Sequence, residues 1–377
     1  MFDELRTLID KNDDELVRLF VARLMLVEEI ANKKKAENLP ILDTAREREI
    51  ISRLTKDKTD IISGYIKILF TTIFDLSRSH QGNLLNASSK VAEEISSALQ
   101  NTPSLFPKSA VVACQGAEGA NSTLACEKLF ERPSIMYFNT FDGVFSAVEK
   151  NLCQYGILPI ENSLHGSVTG IYDLMKKHRF SIVQSVKLKI NHVLLAKPGV
   201  RISDVKKIYS HEQALAQCSE FLRNMNVDIE PCENTATAAK IIQGQKESDA
   251  AAISSIQCAE LYNLGVLSED IQNSDNNYTK FICISKRLEI YPGARKISLM
   301  MTLPHRPGSL YQLIAKFAAL GINLTKLESR PMPDKDFEFM FYFDLDVSVY
   351  DEAVFNLFSQ LEAGNEKFMF LGCYSEI

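Results

Sequence analysis

The sequence predicts three folded segments in one chain: an all-helical N-terminal domain, a larger α/β domain and a small α+β module at the C-terminal end. Three observations predict it. Up to about residue 82, apolar residues recur at spacings of three and four, the period of helices with one oily face. From Lys108 short β-type runs alternate with helical stretches. Beyond Lys296 the order becomes strand, helix, strand, strand, helix, strand, the βαββαβ pattern of a ferredoxin-like module. At about 150 residues per domain, 377 residues suffice for this division. The boundaries read as 1–85, a linker over 86–107, then 108–286 and 296–377.

The helical domain reads as one long helix to about Lys35, a turn at ENLPIL where Asn38 and Pro40 supply the break, a second helix from Asp43 to about Lys56, and a third from Asp60 to about Gln81. Asp43 has the short acceptor side chain of an N-cap. In the first helix Leu16, Leu19, Phe20, Leu26, Val27 and Ile30 mark one buried face, and Arg23 falls on it. Lys34 continues that face about three turns further on. In the third helix the stripe Ile62, Ile66, Leu69, Phe70 and Ile73 runs on into Ser77 and Gln81. An unpaired buried guanidinium costs roughly several kcal/mol. Snorkelling beside an acidic neighbour accounts for any single such position. Arg6, Arg23, Lys34 and Arg46 together with Asp43, Glu47, Ser77 and Gln81 need more than that, and a bundle that gathers them is shaped for a small polyanion.

The linker is rich in Asn and Ser, closes with two prolines and has room for one short helix. In the α/β domain the strand candidates are SAVVACQG, SIMYF, YGILPI, SIVQSVKLKINHVLLA, KKIYS, DAAAIS and FICIS, and the expectation is a mostly parallel sheet. Four stretches stand out: GAEGANS (116–122), LPIENSLHGSV (158–168), YSHEQALAQC (209–218) and NNYTKF (276–281). A tight strand-to-helix turn explains Gly116 and Gly119 at least as well as ligand contact. Ser210 fits an N-cap, which leaves His211 in a solvated first turn. In the C-terminal module Pro307 and Gly308 join a strand to a helix whose N-terminal amides favour a small anion, although a plain strand-to-helix turn accounts for the pair slightly better.

A net charge of −6 argues against a general nucleic-acid or anionic-membrane binder. The start MFDELRTLIDKNDDEL has neither the basic nor the apolar region of a signal peptide, and YIKILFTTIF is too short to span a bilayer. The eight cysteines lie far apart with no C-x-x-C pair, so the expectation is reduced thiols, no metal and a cytoplasmic protein.

With these residues in view, segment 5–81 resembles the all-helical chorismate mutase family. The resemblance implies that Arg6, Arg23 and Arg46 meet the two carboxylates of chorismate, that Lys34 and Gln81 hydrogen-bond its ether oxygen, that Glu47 takes the ring hydroxyl, and that Asp43 and Ser77 complete the pocket. It also implies an intertwined dimer in which Arg6 reaches the partner's site. As an ordered set the four α/β stretches resemble the prephenate dehydratase family, whose two lobes are like those of a periplasmic binding protein. That implies a prephenate cleft lined by Asn162, Ser163, Ser210, Gln217, Thr235, Thr279 and Lys280, with Thr279 the principal catalytic residue. The family signature is Thr-Arg-Phe where this chain has Thr279-Lys280-Phe281, and Ala120 and Asn121 replace the usual Thr and aromatic residue. LESRP at 327–331 is similar to the signature of dehydratase-linked ACT domains, which implies a phenylalanine site at Gly308, Ser309, Leu310, Glu328, Ser329 and Arg330.

Together the resemblances imply a bifunctional chorismate mutase/prephenate dehydratase of phenylalanine biosynthesis. It would need no cofactor, be a homodimer or tetramer, and be inhibited by L-phenylalanine. Two other readings fit the same residues: an active mutase whose second domain prefers arogenate or is impaired by Lys280, and a solute sensor built from the two-lobed domain and the C-terminal module.

Overall fold

A computed structural model describes residues 2–37, 39, 42–85, 90–245, 249–305, 307–332, 338–351, 354, 357, 358, 361 and 367–377. The expected break at Asn38 and Pro40, the start of the linker and most of the second C-terminal helix lie outside these residues. The chain divides into two compact units: Met1–Glu94 with Met301–Leu324 and Val349–Phe368, and Ile95–Met300 with Thr325–Ser348 and Met369–Ile377.

In the first unit α1 (Phe2–Glu37), α2 (Thr44–Thr55) and α3 (Asp60–Leu85) follow the expected periods. The Asp43 side chain accepts from Arg46 N at 2.9 Å, so it caps α2 as its residue type suggests. Arg23 meets Ser77 and Glu28 meets His80, so α1 and α3 run in the same direction. The stripe on α1 corrects an expectation. Val27 and Ala31 are buried, but Leu16, Leu19, Leu26 and Ile30 are each about half exposed or more in the single chain. Three helices of this length offer too little opposing surface to cover a 36-residue helix on that face.

The segment expected as a linker carries α4 (Lys90–Asn101). The second unit then forms two α/β lobes. The first contains β1 (Val111–Gln115), α5 (Asn121–Leu129), β2 (Ser134–Phe138), α6 (Phe141–Glu149), β3 (Tyr155–Asn162), β4 (Gly166–Ser167), α7 (Thr169–Met175) and β5 (Ser181–Lys189). The chain crosses into the second lobe with β6 (Val193–Ala196), β7 (Lys207–Ser210), α8 (Glu212–Gln217), α9 (Ser219–Arg223), β8 (Asp228–Pro231), α10 (Thr235–Gly244), β9 (Ala250–Ser254), α11 (Gln257–Leu261) and β10 (Gly265–Ser268), and returns with β11 (Tyr278–Ser285). The sheets are mixed, not mostly parallel. β1 pairs with β2 and β3 in parallel, whereas β11 is antiparallel to both β3 and β5. In the second lobe β7 is parallel to β8 and β9, whereas β6 is antiparallel to β9 and β10. The run expected as one strand from Ser181 to Ala196 breaks at residues 190–192, where the chain changes lobe.

The C-terminal elements are β12 (Lys296–Thr302), α12 (Ser309–Ala319), β13 (Asn323–Pro331), β14 (Phe339–Asp346) and β15 (Phe368–Glu376). Their sheet order, β13-β14-β12-β15, is that of a ferredoxin-like module, and β15 joins it to β5 of the first lobe. Gly372 permits that junction: its φ is +150°, and a Cβ there would lie 2.1 Å from the Ile182 carbonyl oxygen. One apolar cluster runs from Phe145, Leu158 and Ile282 to Met300, Tyr342 and Tyr374, so lobe and C-terminal sheet share a core.

Candidate functional site

Two polar groupings form, one in each unit. On the α1–α3 seam the Arg23 guanidinium donates to Ser77 Oγ and lies 5.7 Å from the centre of the Phe74 ring. Burial pulls its pKa down and Glu47 opposes this through space. Gln81 stands one turn beyond Ser77 on the same face, buried, with its Oε1 unpartnered among the described residues. A half-turn of that amide presents Nε2 from the same place, so Gln81 can donate there as readily as accept. Lys34, half-buried, lies further along α1. Glu47 is engaged by Arg78 Nη1, whose Nη2 reaches Asp75. Arg78 was not among the expected residues, although it follows Ser77 directly.

Other expected members are not brought to this seam within one chain. Arg6 is largely exposed and pairs with Asp3 at 3.5 Å, and Arg46 pairs with Glu49 at 2.7 Å, each on its own helix. Asp43 acts as the cap described above.

The second grouping lies where the two lobes join. Asn162, at the end of β3, donates from Nδ2 to Thr279 Oγ1 at 3.0 Å and to Asn277 Oδ1 at 2.9 Å. Its Oδ1 accepts from the amides of Leu164 and His165, each at 3.0 Å, which fixes the side chain in the turn after β3. Asn277 donates to Gln217 Oε1 at 3.2 Å, and His192 Nε2 meets the same oxygen at 2.7 Å. Gln217 Nε2 in turn lies 3.2 Å from His165 Nδ1. Burial drives the His192 pKa down, with the Gln217 bond opposing, which favours the neutral ring; facing the Gln217 carbonyl oxygen, Nε2 is the nitrogen placed to donate. The result is a polar network of amides, a hydroxyl and histidines. Asn162, Gln217 and Thr279 were expected there; His165, His192 and Asn277 were not, although His165 and Asn277 lie inside stretches already singled out by motif.

The remaining expected cleft residues do other things. Ser163 Oγ donates to the Asn276 carbonyl at 2.6 Å and accepts from Tyr278 N at 2.9 Å, tying β3 to β11. Ser210 is fully buried and donates to the Ile253 carbonyl at 2.7 Å; the N-cap of α8 is His211, not Ser210. Thr235 opens α10, and its carbonyl accepts from Ser254 Oγ. Gly119 supports the structural view of its motif: φ is +86°, and a Cβ would meet Cys258 Sγ at 2.8 Å. Lys280 is not brought to Asn162 and Thr279. Its ammonium lies 3.3 Å from Asp344 and 3.1 Å from Glu376.

In the C-terminal segment Gly308 caps α12 in the left-handed region, Leu310 follows in the first turn of the helix, and the Ser309 hydroxyl between them is buried without a partner among the described residues. Glu328 accepts from Ser167 at 2.6 Å, Arg330 pairs with Asp173 at 2.8 Å, and Ser329 between them is exposed.

The family model for chorismate mutase type II matches residues 5–82, and that for prephenate dehydratase matches residues 112–289. A bifunctional chorismate mutase/prephenate dehydratase from Aquifex aeolicus is 30% identical over 374 residues, covering 98% of this chain and 97% of its own. Arogenate dehydratase 2 from Petunia hybrida is 40% identical over 280 residues, 70% of this chain and 71% of its own. Among solved structures, a prephenate dehydratase from Arthrobacter aurescens in complex with L-Phe has a TM-score of 0.65 at 29% identity, covering 70% of this chain and 90% of its own.

Proposed function

The chain belongs to the bifunctional chorismate mutase/prephenate dehydratase family, and on that premise we propose how its residues divide two consecutive reactions. The helical domain rearranges chorismate to prephenate. The two-lobed domain converts prephenate to phenylpyruvate.

The rearrangement is intramolecular and needs neither nucleophile nor proton transfer, so the pocket has only to hold a compact conformer and stabilise charge on the ether oxygen. Arg23 carries this reading. It is desolvated beside a hydroxyl, with Glu47 engaged by Arg78, so a substrate carboxylate supplies the counter-charge. Gln81 and Lys34 serve the ether oxygen. The exposed apolar stripe of α1 supports a dimer in which a second copy covers that face and Arg6 completes the neighbouring site.

In the second reaction the ring carboxylate leaves as carbon dioxide, its bonding pair enters the ring, and the C–O bond to the ring hydroxyl breaks. With one proton taken up, that hydroxyl departs as water. The Asn162–Thr279 contact carries this reading: Asn162 donates to Thr279 Oγ1, which leaves the threonine hydrogen for the departing oxygen. The amides of Asn277 and Gln217 fix the geometry without titrating. Feeding chorismate alone and following both products tests the assignment. Phenylpyruvate is expected, and accumulation of prephenate without it would refute the second half.

Arogenate is the second reading for that half, favoured by the 40% identity to an arogenate dehydratase, and kcat/KM on the two substrates decides between them. We assign phenylalanine control to the start of α12; the Ser309 hydroxyl, buried without a partner among the described residues, supports this as a group for the ligand's carboxylate. Inhibition requires that the ligand favour a less active arrangement. Calorimetry without binding, together with unchanged activity at saturating phenylalanine, would exclude it.

A further inference from the structure

Thr279 and Asn162, which meet in the cleft, are each followed or preceded by a charged residue held from the C-terminal strands. On β11 the neighbour is Lys280. Successive strand residues point to opposite sides, so with Thr279 facing the cleft Lys280 faces away from it. Its ammonium is enclosed by Asp344 of β14 and Glu376 of β15. Asp344 is itself fixed by Ser298 Oγ, which is bonded to the hydroxyls of Tyr342 and Tyr374. On β3 the neighbour of Asn162 is Glu161, whose carboxylate accepts from Lys326 of β13 at 2.6 Å. Lys326 also donates to Ser167 Oγ at 2.7 Å, and Ser167 donates onward to Glu328. Leu324, Lys326, Glu328 and Arg330 share the inward face of β13, and the last three tie this edge strand to β3, β4 and α7.

We propose that Lys326 and Asp344 are positioning residues for the dehydratase reaction: through Glu161 and Lys280 they set the spacing of β3 and β11, and thereby the Asn162–Thr279 hydrogen bond. The two strands are already adjacent, but their register shifts between Lys280 and Phe281, beside the residues that must be aligned. Backbone pairing alone leaves that irregular end free to adjust. The two ion-pair clusters restrain it from outside the cleft.

The inference rests on the dehydratase reading, and the test separates the two. In the full chain, Lys326→Met and Asp344→Asn are assayed on prephenate and, in the same preparations, on chorismate. The expected result is a fall of about tenfold to a hundredfold in dehydratase kcat, with KM changed less than about twofold and mutase turnover unaltered. Lys326→Arg, which keeps the cation, restores most of the rate. If Asp344→Asn does not fold, the half-buried Lys326→Met and its arginine rescue decide alone. A folded Lys326→Met chain with dehydratase kcat within about twofold of wild type, or losing both activities in parallel, overturns the inference. A wild-type chain that turns over neither prephenate nor arogenate removes the dehydratase reading, and the inference with it.

Discussion

Thr279 keeps one hydrogen for a second partner, so an isostere that removes only the hydroxyl isolates its contribution. Thr279→Val is expected to lower phenylpyruvate formation by about a hundredfold or more while mutase turnover stays at wild type, and Thr279→Ser to recover part of the loss. Steady-state rates on prephenate and chorismate check this, and a valine variant within about threefold of wild type excludes Thr279 as the donor. Arg23 poses the converse case, because on the proposed assignment its counter-charge is the substrate and not a neighbouring side chain. Replacing a desolvated cation that has no direct carboxylate partner among the described residues by an apolar side chain of similar length removes the cost of burying the charge. Arg23→Met should therefore melt at or above the wild-type temperature while losing mutase activity by about a hundredfold or more. Asn162, Gln217 and Thr279 were legible because each sits in a stretch with a distinctive run of residue types. His192 was not, since it lies between two strands and in none of those stretches, and Asn277, although inside NNYTKF, shows its part only where it meets Gln217 in the fold. Lys280 misled by sequence adjacency to Thr279, although the strand's two-residue period already placed it on the opposite side.

At the scale of elements, segment identity was legible and strand direction was not. The apolar runs of β3, β5 and β11 look alike in sequence, yet β11 inserts antiparallel between the other two after the chain returns from the second lobe. No local pattern encodes that return. The short strands β8 and β10 also escaped notice, because four residues give too few alternations to fix a period. The attachment of β15 carries its own prediction. Burial pushes the Glu376 carboxyl up, but Lys280 and Lys296 outweigh it and hold the pKa down at about 2, against an ordinary 4.5. A depressed folded-state value contributes stability that is present above the ordinary pKa and lost as pH falls through the depressed one. The full difference corresponds to on the order of 3 kcal/mol, shared across the cluster. Glu376→Gln should be less stable than wild type near neutrality and should lose less on acidification from about pH 5 to pH 3, as read from urea midpoints. Wild-type slope in that window is not expected to vanish in the variant, because Asp173, held at about 2 chiefly by Arg330, titrates there as well. Equal slopes for the two proteins would show that the β15 cluster does not carry the charge linkage.

For the whole molecule, the division into two compact units separates the chemistry: Arg23, Ser77 and Gln81 lie in one, Asn162, Gln217 and Thr279 in the other. On the proposed assignment each reaction draws on one unit's residues, and prephenate is a small, strongly hydrated dianion that can leave one pocket and enter another through water. Two chains, each defective at one site, should therefore complement each other. Arg23→Met supplies dehydratase sites only, and Thr279→Val supplies mutase sites only. Neither alone should turn chorismate into phenylpyruvate at an appreciable rate, whereas an equimolar mixture should do so after a lag while prephenate accumulates. The mutase sites of the Thr279→Val chains remain whole even if a second copy completes them, because both copies then carry an intact helical domain. The lag should shorten as total protein rises, since capture of a free intermediate scales with the concentration of dehydratase sites. A mixture that makes prephenate but no phenylpyruvate, despite each variant retaining its own activity on added substrate, would show that prephenate does not cross between molecules and that the two units act as one.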